Sequence, residues 1–160
     1  MQFLLRHHDE LNLPYPFAVK LSFISSPLLI GQAMLIWSEE PYEIVGAAGF
    51  AYGTGANQYE DRDVCQVEIA FLRRPYRQTS LFAQALLALL RAIEAGNPDV
   101  RLVQFWANPE QLESERLFAK LHSLPGSHRF NVNGLACQQI DFRELQSYCR
   151  RFENRFADNL

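Results

Sequence analysis

A chain of 160 residues with 48% hydrophobic side chains, among them 12 Phe and 6 Tyr, has the length and apolar content of one globular domain and argues against disorder. Its formal charge of −3 gives no global electrostatic case for nucleic acid as a partner. No stretch reaches membrane-spanning length, so no membrane partner is expected either.

The first thirty residues carry the weakest signals. Phe3 to Leu5 reads as a short strand or as the start of a helix reaching Leu11, and Pro14 and Pro16 force a break. Phe17 to Ile24 is a short apolar segment of open type, with Ser25, Ser26 and Pro27 marking a turn. Asp9 and Glu10 lie soon after Met1 with no apolar core between, so no signal peptide is expected. Gln32 to Trp37 and Glu43 to Tyr52 read as two strands of a hairpin joined by Ser38-Glu39-Glu40-Pro41. Gly53 to Asp63 is a polar loop, and Val64 to Leu72 the third strand of the meander.

That strand leads into the most informative stretch, residues 66–96. Val, Ile and Phe fill the strand, Pro75 ends it, and Arg73, Arg74 and Arg77 make the following turn basic. Leu81, Phe82, Ala85, Leu86, Leu89, Leu90 and Ile93 then recur at helical spacing until Gly96. Unpaired backbone N–H groups at a helix N-terminus beside arginines can hold a phosphorylated ligand. One acidic residue, Glu68, lies within the strand.

Arg101 to Ala107 is the next strand, Glu110 to Leu121 a helix with Leu117, Phe118 and Leu121 on its apolar face, and Leu135 to Ile140 a late strand. Phe142 to Phe156 closes the chain as an amphipathic helix through Leu145, Cys149, Phe152 and Phe156. Cys65, Cys137 and Cys149 are widely spaced and odd in number, which suggests reduced thiols in a cytoplasmic protein. Small buried hydrophobes are their expected role, a covalent acyl-enzyme the alternative. His7 and His8 lack partners at metal-ligand spacing, so no metal site is expected. His128 is placed in a loop, and Trp37 and Trp106 in the core or a pocket wall.

The strand, the basic Pro-containing turn and the helix that follows resemble the acetyl-coenzyme A site of the GNAT superfamily of N-acetyltransferases. Members write the pyrophosphate loop as Gln/Arg-x-x-Gly-x-Gly/Ala; here it reads Gln78, Thr79, Ser80, Leu81, Phe82, Ala83. The first and last positions match, and Leu81 replaces the central Gly. A missing Cβ lets a pyrophosphate approach the backbone. Two readings stay open: Leu81 points into the core and the loop binds coenzyme A with altered contacts, or the phosphate site has decayed. A second motif, Gln111 to Ser123, is similar to the family's Asn-x-x-Ser/Ala-x-x-Leu-Tyr-x-Lys-Leu-Gly-Phe at Ser114, Leu117, Lys120 and Leu121. Phe118 stands at the tyrosine that in relatives protonates the departing thiolate, and it has no proton to give.

The resemblance covers about residues 30–140 and implies one α/β (α+β) domain over 1–160, a mixed, mostly antiparallel sheet flanked by helices. The helix at 142–156 is extra and is expected to shape the acceptor pocket or a homodimer surface. Acetyl-CoA is the implied cosubstrate and an amine of a small molecule or peptide the implied acceptor. Glu68 is the implied base, with a partner arginine or solvent as its structural alternative. Backbone N–H of Ala70 or Phe71, on the strand ending at Leu72, would polarise the thioester carbonyl. N–H groups from Thr79 to Ala83 would carry the pyrophosphate, with Gln78 shaping the loop and Arg73, Arg74 or Arg77 adding attraction, and the thiolate would leave unaided or with help from Ser114, His122 or water. Glu60, Asp61 and Asp63 form an acidic run that could attract a cationic acceptor, and Tyr52 and Tyr59 flank that loop. The alternative to an enzyme is a non-catalytic module of the same fold that binds coenzyme A or a protein.

Overall fold

A computed structural model describes residues 1–11 and 13–157, which form six strands and six α-helices. In chain order these are α1 (Gln2–Arg6), α2 (Phe17–Ile30), β1 (Gln32–Trp37), β2 (Ile44–Tyr52), β3 (Val64–Leu72), α3 (Ser80–Gly96), β4 (Leu102–Ala107), α4 (Pro109–Ser114), α5 (Arg116–His122), β5 (His128–Val132), β6 (Leu135–Asp141) and α6 (Phe142–Ala157). The strands make one mixed sheet in the order β1-β2-β3-β4-β6-β5, antiparallel except between β3 and β4. The expected class, a mostly antiparallel sheet flanked by helices, is the one found.

Two apolar layers hold the sheet. On one face Leu89, Leu90 and Ile93 of α3 and Leu145 and Cys149 of α6 pack on Phe50, Tyr52, Cys65, Val103 and Ile140. Their helical spacing, against exposed Gln84, Ala88 and Arg91, is what makes α3 a one-sided helix. Each fully buried Leu or Ile contributes roughly 1.5–3 kcal/mol. On the other face Leu4 of α1 and Ile24 of α2 cover Ala47, Ile69 and Phe71. Strand β6 passes into α6 without a loop, because Asp141 ends the strand and its Oδ1 accepts the Glu144 N–H at 3.0 Å, as an N-cap does.

Several expectations are corrected. Ser25-Ser26-Pro27 is not a turn: α2 runs through it to Ile30. Pro27 cannot donate within the helix, yet it is buried on β2, where a Cβ on Gly49 would stand 2.5 Å from its Cγ. The Ser25 hydroxyl turns back to donate to Leu21 O at 2.8 Å, so packing overrides the local turn signal. Phe3 to Leu5 is helical, and the helix gives way to a short 3-10 segment at His8–Leu11. The helix expected over 110–121 breaks at Glu115, which is extended at φ −92°, ψ 126°. Leu112 and Leu117 are five residues apart, about 140° around an unbroken helix, so one helix could not bury both. The break lets Leu112 pack on Ala107 and Ala136 while Leu121 joins the main core. His128, expected in a loop, begins β5, an edge strand. Trp37 is exposed on the other edge, stacked on Tyr42 at 4.9 Å, and is not core. Phe156, expected on the apolar face of α6, lies outside the residues whose side chains are described.

Candidate active site

Strands β3 and β4 run side by side only briefly. Val64 pairs with Leu102, Cys65 with Val103 and Gln66 with Gln104, and there the parallel ladder stops. Beyond it β3 stays paired to β2 as far as Leu72, and β4 to β6 as far as Ala107. The two strands therefore part from Val67 and Phe105 onward. Alternate residues of Val67–Leu72 direct their N–H and C=O groups away from β2 and into this gap, where β4 offers no partner.

A β-bulge sits at the start of the gap. The β2–β3 register steps from Gly49–Ile69 to Phe50–Val67, which leaves Glu68 as the extra residue. The extra residue also reverses the strand's faces. Cys65 and Val67 pack with α3, whereas Ile69 and Phe71 pack with α1 and α2. Glu68 is half-buried, and its Oε1 accepts from Gln66 Nε2 at 2.8 Å. Burial pushes its carboxyl above the ordinary glutamate value, and the Gln66 hydrogen bond offsets part of the rise. Its side-chain partner is thus a glutamine and not an arginine. Ala70 is exposed, while Phe71 and Leu72 are buried.

The turn after β3 is organised by its arginines. Arg73 Nη1 pairs with Glu43 Oε1 at 2.8 Å. Arg77 Nε donates to Leu72 O at 2.7 Å, with the guanidinium carbon 5.7 Å from the centre of the Phe71 ring. Arg74 is exposed, and no ion pair engages it among the described residues. Gln78 adopts the left-handed conformation at φ 62°, which turns the chain into α3. Thr79 is the N-cap residue, its hydroxyl donating to Tyr76 O at 2.5 Å, so the first-turn N–H groups receive no side-chain cap. Ser80 is exposed, Leu81 and Phe82 are half-buried and Ala83 is buried. Leu81 belongs to none of the buried clusters, so the core does not absorb it fully.

Helix α6 reaches this turn. Cys149 and Phe152 line an apolar pocket with Gln78, Thr79, Phe82, Ala83 and Leu86. The extra helix therefore borders the turn that opens α3, on the sheet face opposite Gln66. Phe118 of α5 packs on Phe105 of β4 with ring centres 5.5 Å apart, and Ser114 is exposed at the end of α4, its hydroxyl on Gln111 O. Among the described residues no group of three or more His, Cys, Asp or Glu could hold a metal ion.

The acidic run lies elsewhere. Asp61 accepts from Thr54 N and Thr54 Oγ1, each at 2.7 Å, and from Asn57 Nδ2 at 2.9 Å, and Asp63 pairs with Arg101 at 2.5 Å. These acids organise the loop at the closed end of the β3–β4 pair, roughly 16 Å along the strand from Glu68. Tyr52 is spent there too, donating to Ile93 O at 2.6 Å. Sequence reasoning missed the groups linked to the carboxylate: Gln66 directly, and Gln104 and Gln139 in turn through it, whose signal was a polar amide within a largely apolar strand.

No protein-family model matches the chain, and no curated protein resembles it significantly in sequence. Solved structures do resemble it. A GNAT-family acetyltransferase from Staphylococcus aureus superposes with a TM-score of 0.60 at 12% identity, covering 87% of this chain and 88% of that one. A Bacillus subtilis acetyltransferase in complex with CoA gives 0.51 at 9% identity, over 75% and 82% of the two chains. Spermidine N-acetyltransferase from Vibrio cholerae, in complex with CoA and spermine, gives 0.52 at 10% identity, over 91% and 94%. The fold is that of the GNAT acetyltransferases. Among the described residues no helix is long and apolar enough to cross a membrane.

Proposed function

We propose that the protein is an acyl-CoA-dependent N-acyltransferase that moves an acetyl group from acetyl-CoA to an amine of a small molecule or peptide. The observation that carries this reading is the parting of β3 and β4 directly beside a half-buried carboxylate on a bulge. Acetyl-CoA, when bound, supplies the activated thioester. The residues present fit it: the Ser80 and Leu81 N–H groups at the start of α3 and the exposed Arg74 for phosphates, the Phe82 N–H being taken by Thr79 O, and backbone groups of Val67–Phe71 that face the gap for the acyl arm. Glu68 takes the proton from the attacking amine, with a pKa raised toward the working range. The carbonyl oxygen takes its hydrogen bond from an N–H of β3 in the gap, at Ala70 or Phe71. Phe118 donates no proton, and a thiol of pKa near roughly 8.5 leaves without one.

The second reading, a non-catalytic binding module, draws on Leu81, on Phe118 and on the packing of Cys149 and Phe152 against the α3 turn. Calorimetry with coenzyme A and acetyl-CoA separates the two. Micromolar affinity, followed by thiol release with a panel of amines, supports the enzyme. Undetectable binding at millimolar ligand removes it, and binding without turnover on any amine favours the module.

A further inference from the structure

Three glutamines stand in register on three neighbouring strands: Gln66 of β3 opposite Gln104 of β4, and Gln104 opposite Gln139 of β6. Residues directly opposite share a face, so all three side chains project on the face that α1 and α2 partly cover. They are joined head to tail. Gln139 Nε2 donates to Gln104 Oε1 at 3.0 Å, Gln104 Nε2 to Gln66 Oε1 at 2.7 Å, and Gln66 Nε2 to Glu68 Oε1 at 2.8 Å. Every amide donates toward the carboxylate. No protein group among the described residues donates to Glu68 Oε2.

Such a row costs stability that the fold has no need to spend. Gln104 is 6% exposed, between Val103 and Phe105, where an apolar side chain would pack without desolvating an amide. The direction follows from the acid at the end. An ionised carboxylate only accepts, so Gln66 must turn its NH2 to Glu68 and its oxygen to Gln104, and Gln104 must then do the same toward Gln139. The row crosses the sheet at Gln66–Gln104, the last rung before β3 and β4 part.

We propose that Gln66, Gln104 and Gln139 are positioning residues for Glu68, forming a one-way amide ladder that holds Oε1 and leaves Oε2 for the proton of an acceptor amine. This rests on the acyltransfer reading for its purpose, though not for its test. Amides polarised in series strengthen the last bond to the anion, so the ladder favours the carboxylate while burial disfavours it. Other ionisable groups near Glu68 are few. Cys65 shares its strand, His7 just after α1 and Arg77 of the turn lie against Phe71, Arg6 of α1 is exposed, and His128 stands opposite Gln139 at the far end. From α2 the one charged side chain is Lys20, whose ammonium donates to His8 O. β4 has no ionisable residue, and β2 only Tyr52 at the closed end.

The test is carboxyl titration by NMR of protein labelled with [13C]glutamate, with the Glu68 signal identified by its loss in Glu68→Gln. In Gln66→Met, Gln104→Met and Gln139→Met the Glu68 midpoint should rise, most for Gln66 and least for Gln139, with Gln104→Met shifting it by about half a unit or more. A side chain that merely packs would alter the melting temperature and leave the midpoint in place. An unchanged midpoint in Gln104→Met, or a shift confined to Gln66→Met, overturns the ladder. Should Gln104→Met fail to fold, the two rim variants decide the matter by the same ordering. The measurement needs neither cofactor nor acceptor, so failure to bind coenzyme A would end the acyltransfer reading and leave the ladder to be decided separately.

Discussion

Replacing Glu68 by glutamine tests base catalysis with little geometric disturbance. The Gln66 Nε2 donor at 2.8 Å finds an amide oxygen in place of the carboxylate oxygen, so the side chain keeps its anchor. What disappears is the proton acceptor. Loss of a general base lowers a rate by roughly 10²–10⁴-fold, or about 2.7–5.4 kcal/mol of barrier. Thiol release with the best acceptor of an amine panel, measured across pH, should show this deficit at neutral pH and a smaller one at high pH, where the amine is already deprotonated. Coenzyme A affinity should not change. Stability gives a second readout whose sign is fixed. Burial raises the folded-state pKa above 4.5, so in the window between 4.5 and the raised value the folded state binds more protons than the unfolded chain. The parent therefore loses stability as pH rises through that window and does not regain it above. Glu68→Gln escapes the loss and should melt higher than the parent near neutral pH and about equally below pH 4. Full activity of the variant at every pH would remove Glu68 from the mechanism. A deficit that stays constant across pH would assign the carboxylate to amine placement instead.

Arg74→Ala should weaken coenzyme A binding by about 1–3 kcal/mol in calorimetry, and more than Arg73→Ala, whose guanidinium is committed to Glu43. Wild-type affinity in the Arg73, Arg74 and Arg77 alanine variants alike would make the turn a solvated surface only. Phe118→Tyr should change the melting temperature by no more than about 2 °C, since the ring is half-buried, and should speed thiol release if its edge reaches the sulfur. A large loss of stability would instead place the ring where a hydroxyl finds no partner. Burial pushes the thiols of Cys65 and Cys149 up to about 12 and that of Cys137 up to about 11, so all three should resist thiol reagents near pH 8 until the protein unfolds. Rapid labelling of one cysteine in the native state would reopen the acyl-enzyme alternative.

The sequence was most legible where one signal governed each boundary. Apolar alternation and Pro75 delimit β3, and one-sided apolar spacing delimits α3 from Ser80 to Gly96. It was least legible where tertiary packing decided. Nothing local shows that Pro27 will be held in a helix by Gly49, and Glu115 is no helix breaker by type. The five-residue step from Leu112 to Leu117 was the one available hint of that break. Strand β5 hid because most of its residues are exposed, Phe130 by 43%, which leaves no apolar alternation to detect. At the candidate site Glu68 was readable as a lone acid in an apolar strand. Its bulge and its glutamine partners were not, because both depend on the register between strands, a relation no single segment contains.

The short seam between β3 and β4 also constrains the order in which the chain can fold. Val64 meets Leu102 across 38 residues of sequence, and closing a loop of that length costs about 3 kcal/mol before any contact is gained. Three rungs return little against that cost. The meander β1–β2–β3 and the hairpin β5–β6 close over loops much shorter than the 38-residue separation at the seam and can form early on either side of it. Joining them waits until α3 has collapsed onto both halves through Leu89, Leu90 and Ile93. The three rungs are thus expected to be the last part of the sheet to form, with the spacing of β3 and β4 set by the helix packed across the two halves more than by the strands themselves.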